Sequence, residues 1–189
     1  MDVLWWFYTV ILGAAFTQVS IAIAVQWKTS SATGERLHLP TLLWQIFLII
    51  LTVQVWVAVS VYLRTVESMS VLSLLAFLWV PMGLLILSIF LADQWWNGRS
   101  TDDDEQRFNA LRRPFFVVLI LIPVINLVHE IAMGSAGFDD DTLFPLAIAI
   151  GGVIGLRLRS VRADSILAAA EILLVLVYLF AFYGSVSIT

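Results

Sequence analysis

Three side chains on one apolar segment near the end of the chain have types and a spacing that could carry a proton. Asp164, Glu171 and Tyr178 are seven residues apart, so they share one face of a helix. Glu171 lies about 10 Å along that helix from Asp164, too deep in lipid for a free carboxylate. The spacing therefore predicts either a proton carrier or gate on an inward-facing cavity, or a bond between helices.

A second polar group occupies an earlier apolar segment. His129 and Glu130 follow Asn126 by three and four residues, which places all three on one side of a helix, one turn after Pro123. Histidine titrates near neutral pH, and a neighbouring carboxylate can tune it. The group predicts a proton-linked or cation-binding site that opens outward. The alternative is that His129 and Glu130 lie in the hydrated headgroup region at the end of the helix.

Three glutamines complete the polar candidates for binding or for a transport path. Gln18 and Gln45 fall at roughly the depth of Glu171, where an amide–carboxyl bond between helices would be worth about 0.6 kcal/mol. Gln54 falls in the opposite half of the bilayer, beside the Asn126 group. A hydrogen bond between helices is its simpler role, and a place in a central polar path is the alternative.

Small residues mark one further helix face. Ala147, Gly151 and Gly155 repeat every four residues, a spacing that lets two helices approach closely. Their partner is either a helix of the same chain or a second copy of it.

The elements that must position these residues are apolar helices. Of 189 residues, 61% are hydrophobic and 13% are charged, whereas about a quarter of the residues of a soluble protein are charged. We therefore predict an all-α, polytopic membrane protein, a bundle of about six transmembrane helices with a short cytoplasmic helix between helices 3 and 4. Five spans with a re-entrant fifth segment is the alternative. The expected spans, within one domain of residues 1–189, are 3–27, 40–63, 69–92, 114–134, 143–157 and 165–186.

The basic residues predict the orientation. All but Arg64 fall in the connections after the odd-numbered spans, so these connections are expected in the cytoplasm and both termini outside a plasma or inner membrane. The run from Arg157 to Arg162 suits orientation and lipid-headgroup contacts better than voltage sensing. The basic residues of this side are Lys28, Arg36, Arg99, Arg107, Arg112, Arg113, Arg157, Arg159 and Arg162.

Several kinds of chemistry find no support. The chain has no cysteine, and its two histidines, His38 and His129, are expected on opposite sides of the membrane, where they cannot share a metal or a haem. It also has no HExxH or GxSxG motif and no basic arm for nucleic acid. We therefore expect no metal, no cofactor and no nucleic-acid partner.

Three classes of function remain. Polar residues in both halves of the expected bilayer favour a small channel or transporter. The alternative is a sensor, anchor or assembly partner that transports nothing and contacts, besides the lipid bilayer, a second copy or another membrane protein. The third class is a lipid-active enzyme that uses Glu171 or the His129–Glu130 pair as acid or base.

Overall fold

Helices make up the secondary structure of the described chain. The computed structural model describes residues 2–34, 37–65, 70–92, 102–132 and 140–183. Over these residues the chain forms six α-helices and no strand. They are α1 (Asp2–Thr33), α2 (Leu39–Thr65), α3 (Val71–Ala92), α4 (Asp102–Ala132), α5 (Asp140–Arg157) and α6 (Val161–Tyr183).

The outer surface of these helices suits lipid. Five of the six described helices are long and apolar enough to cross a membrane, and the apolar part of α5, Thr142–Arg157, is shorter. Large apolar side chains such as Trp6 and Phe180 are 68% and 71% exposed. A surface this apolar is stable when lipid rather than water covers it. The predicted all-α membrane bundle is confirmed, and its fifth member is the shortest of the described helices, as the sequence indicated.

α2 and α3 pack against each other, and each also packs against two further helices. α2 contacts α1, α3 and α6, while α4 packs between α3 and α5. Trp44 of α2 is fully buried and meets the rings of Phe115 and Phe116 of α4 edge-on, with centroids 5.4 and 5.2 Å apart. Such aromatic pairs contribute about 0.5–1.5 kcal/mol each beyond the area they bury. This aromatic cluster holds the part of α4 around Phe115 and Phe116 against α2.

The short helix expected between the third and fourth spans is the first part of α4. The sequence predicts a new helix from Pro114, but α4 runs without a break from Asp102 to Ala132, with Pro114 and Pro123 inside it. A proline removes the backbone bond to the carbonyl four residues earlier. For Pro114 that carbonyl belongs to Ala110, which is exposed, so water or lipid headgroups can replace the lost bond. The expected span ends at residues 134 and 186 lie outside the described residues.

One end of the bundle carries the arginines discussed below, and we call it the basic end. There the start of α2 meets the end of α3, since Gln45 Nε2 donates to the Leu91 carbonyl at 3.4 Å. The arginine count predicts that this end faces the cytoplasm, and that orientation stays a prediction. The described basic residues at this end are Lys28, Arg112, Arg113, Arg157, Arg159 and Arg162.

Candidate functional site

The face of α6 that carries Asp164, Glu171 and Tyr178 lies along α5. The two helices are consecutive and antiparallel, so residues with increasing numbers in α6 meet residues with decreasing numbers in α5. The side chains with seven-residue spacing thus form a column of contacts, which we call the α5–α6 interface. Its contacts, from the basic end, are Asp164 with Gly155 through Arg112, Glu171 with Gly151, and Tyr178 with Phe144.

The carboxyl group of Glu171 lies in the middle of this interface. The residue is 5% exposed, and a Cβ atom added to Gly151 would overlap its Oε1 and lie 2.7 Å from its carboxyl carbon. Glycine at position 151 therefore makes the space that the carboxyl group fills. Its Oε2 is buried and has no hydrogen-bond partner in the described part of the chain. Burial without a partner disfavours the charged form of a carboxyl group.

Arg112 of α4 closes the interface at the basic end. Its guanidinium forms an ion pair with Asp164, with Nη2 2.6 Å from Oδ1 and Nη1 bonded to Oδ2. Nε and Nη2 also donate to the Gly155 carbonyl, at 3.1 and 2.7 Å. The rings of Phe108 and Phe116 lie 6.0 and 5.4 Å from the guanidinium carbon. One buried arginine therefore joins α4 to the last turn of α5 and the first turn of α6.

Local sequence explains why Asp164 and Gly155 meet this arginine. Ser160 caps α6: its Oγ accepts from the Ala163 N–H at 3.1 Å, which leaves Asp164 in the first turn, where a carboxylate suits the helix dipole. At position 155 a Cβ would collide with the ring of Phe116. Glycine thus lets α5 approach α4 closely enough for its carbonyl to reach Arg112.

Aromatic rings close the opposite end of the interface. Tyr178 stacks on Phe144, with ring centroids 4.0 Å apart and planes inclined by 17°. Phe182 lies next to it, 4.6 Å from the Tyr178 ring. Tyr178 is buried. The carboxyl group of Glu171 is therefore enclosed between an ion pair on one side and stacked rings on the other.

The glutamine candidates lie elsewhere. Gln45 is buried and bonds to the Leu91 carbonyl, while its Oε1 has no partner among the described residues. Gln54 is buried and Gln18 is half-buried. In the described part of the chain neither Gln18 nor Gln45 is hydrogen-bonded to Glu171, so the amide–carboxyl bond considered as one alternative is not observed there.

The Asn126 group is also separate from Glu171. Asn126 Nδ2 donates to Glu130 Oε1 at 2.7 Å, one turn along the same helix. His129 lines a groove of about 310 Å³ between α3 and α4, and its buried Nε2 has no partner among the described residues. No residue of α5 or α6 described here lines that groove. Its other lining residues are Leu72, Leu75, Ala76, Trp79, Ile125, Val128 and Ala132.

The glycines of α5 contact helices of the same chain. Besides Gly151 and Gly155, Gly152 approaches α4, since a Cβ there would lie 2.6 Å from Ile120 Cγ1. Ala147 is half-buried. The small-residue face of α5 thus packs within the chain, against α4 and α6.

The Arg112–Asp164 pair and the burial of Gln26 are not predicted from the sequence. From the sequence, Arg112 contributes only to the count of basic residues that predicts the orientation, and Asp164 is only the first member of the seven-residue series with Glu171 and Tyr178. The opposite charges of Arg112 and Asp164 at the same expected membrane boundary were the available signal, but only the packing of α5 against both α4 and α6 brings them together. Gln26 of α1 is 1% exposed, and neither amide atom has a partner in the described ranges. Its place at the end of an apolar block gave no sign of burial.

The fold and this interface define a class: an all-helical integral membrane protein with ionisable side chains buried between its helices. Comparison with known protein families, curated proteins and solved structures finds no match to the chain. Within the described residues, no three His, Asp or Glu side chains are grouped as metal ligands would be. Its function must therefore be argued from the buried groups themselves.

Proposed function

We propose that this protein is a small channel or transporter that moves protons, with Glu171 as the proton carrier at the α5–α6 interface. The supporting observation is the buried carboxyl group against Gly151, with one oxygen that has no partner among the described residues. Removing a carboxylate from water is costly, so the group holds a proton while the interface is closed. Water that enters the interface lowers that cost and lets the proton leave.

The helix packing supports an interface that opens. The main neighbour of α5 is α4, and the main neighbour of α6 is α2. The direct packing of α5 against α6 is the least extensive of the three. Separating α5 from α6 therefore breaks fewer contacts than separating either helix from its main neighbour. The Arg112–Asp164 pair at the basic end and the Tyr178–Phe144 stack at the other end would be the two barriers, which open in turn as alternating access requires.

The other two classes have less support. A second copy of the chain was one of the two partners considered for the small-residue face of α5, and α4 and α6 of the same chain occupy that face. An enzyme would require a group that exchanges protons with Glu171 beside a substrate, and the buried Oε2 of Glu171 has no hydrogen-bond partner among the described residues.

Proton flux into vesicles tests this proposal. Purified protein is reconstituted into liposomes that hold a pH-sensitive dye, and a potassium gradient with valinomycin provides the driving force. We expect the wild-type protein to acidify the lumen faster than protein-free vesicles do. Glu171→Gln keeps the shape of the side chain but cannot carry a proton, so its flux should fall to that of empty vesicles.

A matched carboxyl variant provides the control. Glu130→Gln makes the same change in α4, outside the α5–α6 interface, and should retain wild-type flux. The proposal is wrong if the wild type conducts no better than empty vesicles, or if Glu171→Gln conducts as well as the wild type. An equal loss of proton flux in both variants would contradict the assignment of the proton carrier to the α5–α6 interface.

A further inference from the structure

Four arginines at the basic end are exposed and take no part in the α5–α6 interface. The ion pair of Asp164 is with Arg112, and none of these four arginines has an ion pair among the described residues. We call the exposed group the basic surface; it consists of Arg113, Arg157, Arg159 and Arg162.

The contacts of Arg112 bring these four positions together. Arg112 bonds to both Gly155 and Asp164. Arg113 follows it directly, Arg157 comes two residues after Gly155, and Arg162 comes two residues before Asp164. These positions lie within α4, at the end of α5, in the α5–α6 connection and in the first turn of α6, so four positive charges lie near the contacts of Arg112. The nearby acid, Asp164, is already neutralised, so the charge of the basic surface is uncompensated by described residues.

The basic surface also lies at the boundary of the apolar surface. Ile154 and Leu156 precede Arg157 and are 45% and 38% exposed, and Ile166, one turn after Arg162, is 64% exposed. Exposed apolar side chains belong in the hydrocarbon, and the arginines that border them therefore lie at the depth of the headgroups. Guanidinium groups at this depth form paired hydrogen bonds with phosphate oxygens.

We propose that the basic surface is a binding site for an anionic phospholipid of the leaflet at the basic end. The headgroup phosphate lies among the arginines, and the acyl chains cover the apolar side chains of α5 and α6 beside them. The adjacent apolar surface favours a lipid over free phosphate, because only the lipid has acyl chains that can pack against it. Arg112 stays with Asp164 and does not bind the lipid.

Lipid retention measures this site. The protein is purified from micelles that contain equal amounts of phosphatidylcholine and phosphatidylglycerol, and the lipids that remain bound are quantified by mass spectrometry. We expect phosphatidylglycerol to be enriched on the wild-type protein. Each arginine removed should weaken its retention about fivefold, so that Arg157→Gln with Arg159→Gln loses most of the enrichment. Lys28→Gln, which removes an exposed cation of α1 at the same end, should leave it unchanged.

Two further measurements on the unchanged protein do not depend on how the variants fold. Enrichment should fall as salt is raised, since exposed charges are screened within about 8–10 Å at moderate ionic strength. Phosphatidylglycerol should raise the Tm in detergent, whereas inorganic phosphate should not. Equal retention of both lipids by the wild type, salt-independent enrichment, or a Tm rise with inorganic phosphate as large as with lipid would each overturn the proposal.

Discussion

A single methyl group at position 151 should displace the carboxyl group of Glu171 without unfolding the protein. The Cβ of Gly151→Ala would lie 2.7 Å from the carboxyl carbon of Glu171 but 3.5 Å from its Cγ. Favourable carbon contacts begin at about 3.5 Å, so Cγ can stay while the carboxyl carbon moves by about 0.8 Å, the difference between the two distances. The change therefore acts on the end of a flexible side chain rather than on the backbone.

The expected change in stability follows from two opposing terms. Extra volume in a packed interior costs about 1–3 kcal/mol, and replacing glycine by alanine inside a helix gains about 1 kcal/mol. Gly151→Ala should therefore lower the free energy of unfolding by about 0–2 kcal/mol. Gly13→Ala in α1 is the matched control, because a Cβ there meets nothing within 4 Å. It should keep the full helix gain.

Unfolding in mixed micelles of mild detergent and sodium dodecyl sulfate measures both variants. A double-mutant cycle with Glu171→Ala isolates the contact, since the methyl group at position 151 has no carboxyl group to displace once Glu171 is shortened. We expect a coupling of about 0.5–3 kcal/mol. Additivity within about 0.3–0.5 kcal/mol, together with equal effects of Gly151→Ala and Gly13→Ala, would refute the packing of Glu171 on Gly151.

Two further predictions concern the basic end of the interface. Arg112→Met should lower the free energy of unfolding by about 3–5 kcal/mol, because it leaves Asp164 buried without its partner, and adding Asp164→Leu should recover most of that loss in the same assay. A double variant as unstable as Arg112→Met alone would contradict this. Gly155→Ala should destabilise more than Gly151→Ala, since its Cβ meets the fully buried ring of Phe116 rather than a flexible chain end; equal Tm values for the two variants would show that the ring gives way.

The membrane bundle could be predicted because charge is so unfavourable in lipid that it marks the ends of spans. The short fifth segment was recognised for the same reason, since Asp141 and Arg157 limit its length. The sequence predicts a break at Pro114 between the short helix and the fourth span, because proline usually begins a helix or interrupts one, but α4 continues through it. A proline inside a helix costs little where the carbonyl that it leaves unbonded is exposed. That exposure depends on how the helices pack and cannot be read from the sequence.

The candidate site was half predictable for a geometric reason. Seven-residue spacing shows that Asp164, Glu171 and Tyr178 share a face, but it does not show which helix that face meets. The expected partners of Glu171 were glutamines chosen by depth, whereas the structure presents the backbone of Gly151. Arg112 and Asp164 are 52 residues apart in the chain, so their pairing depends on tertiary packing alone.

The chemistry of Glu171 argues for a second conformation. If the residue served only to hold α5 against α6, a leucine beside a larger residue at position 151 would do so without an unpartnered polar oxygen. Glycine at position 151 instead leaves room for a carboxyl group whose buried Oε2 has no partner in the described part of the chain. In the proposed mechanism, the free energy lost by burying that group in the closed state is regained when water reaches it in an open state. Hydration of Glu171 would then favour opening and closure would favour the proton, which would couple the motion of α6 to proton movement.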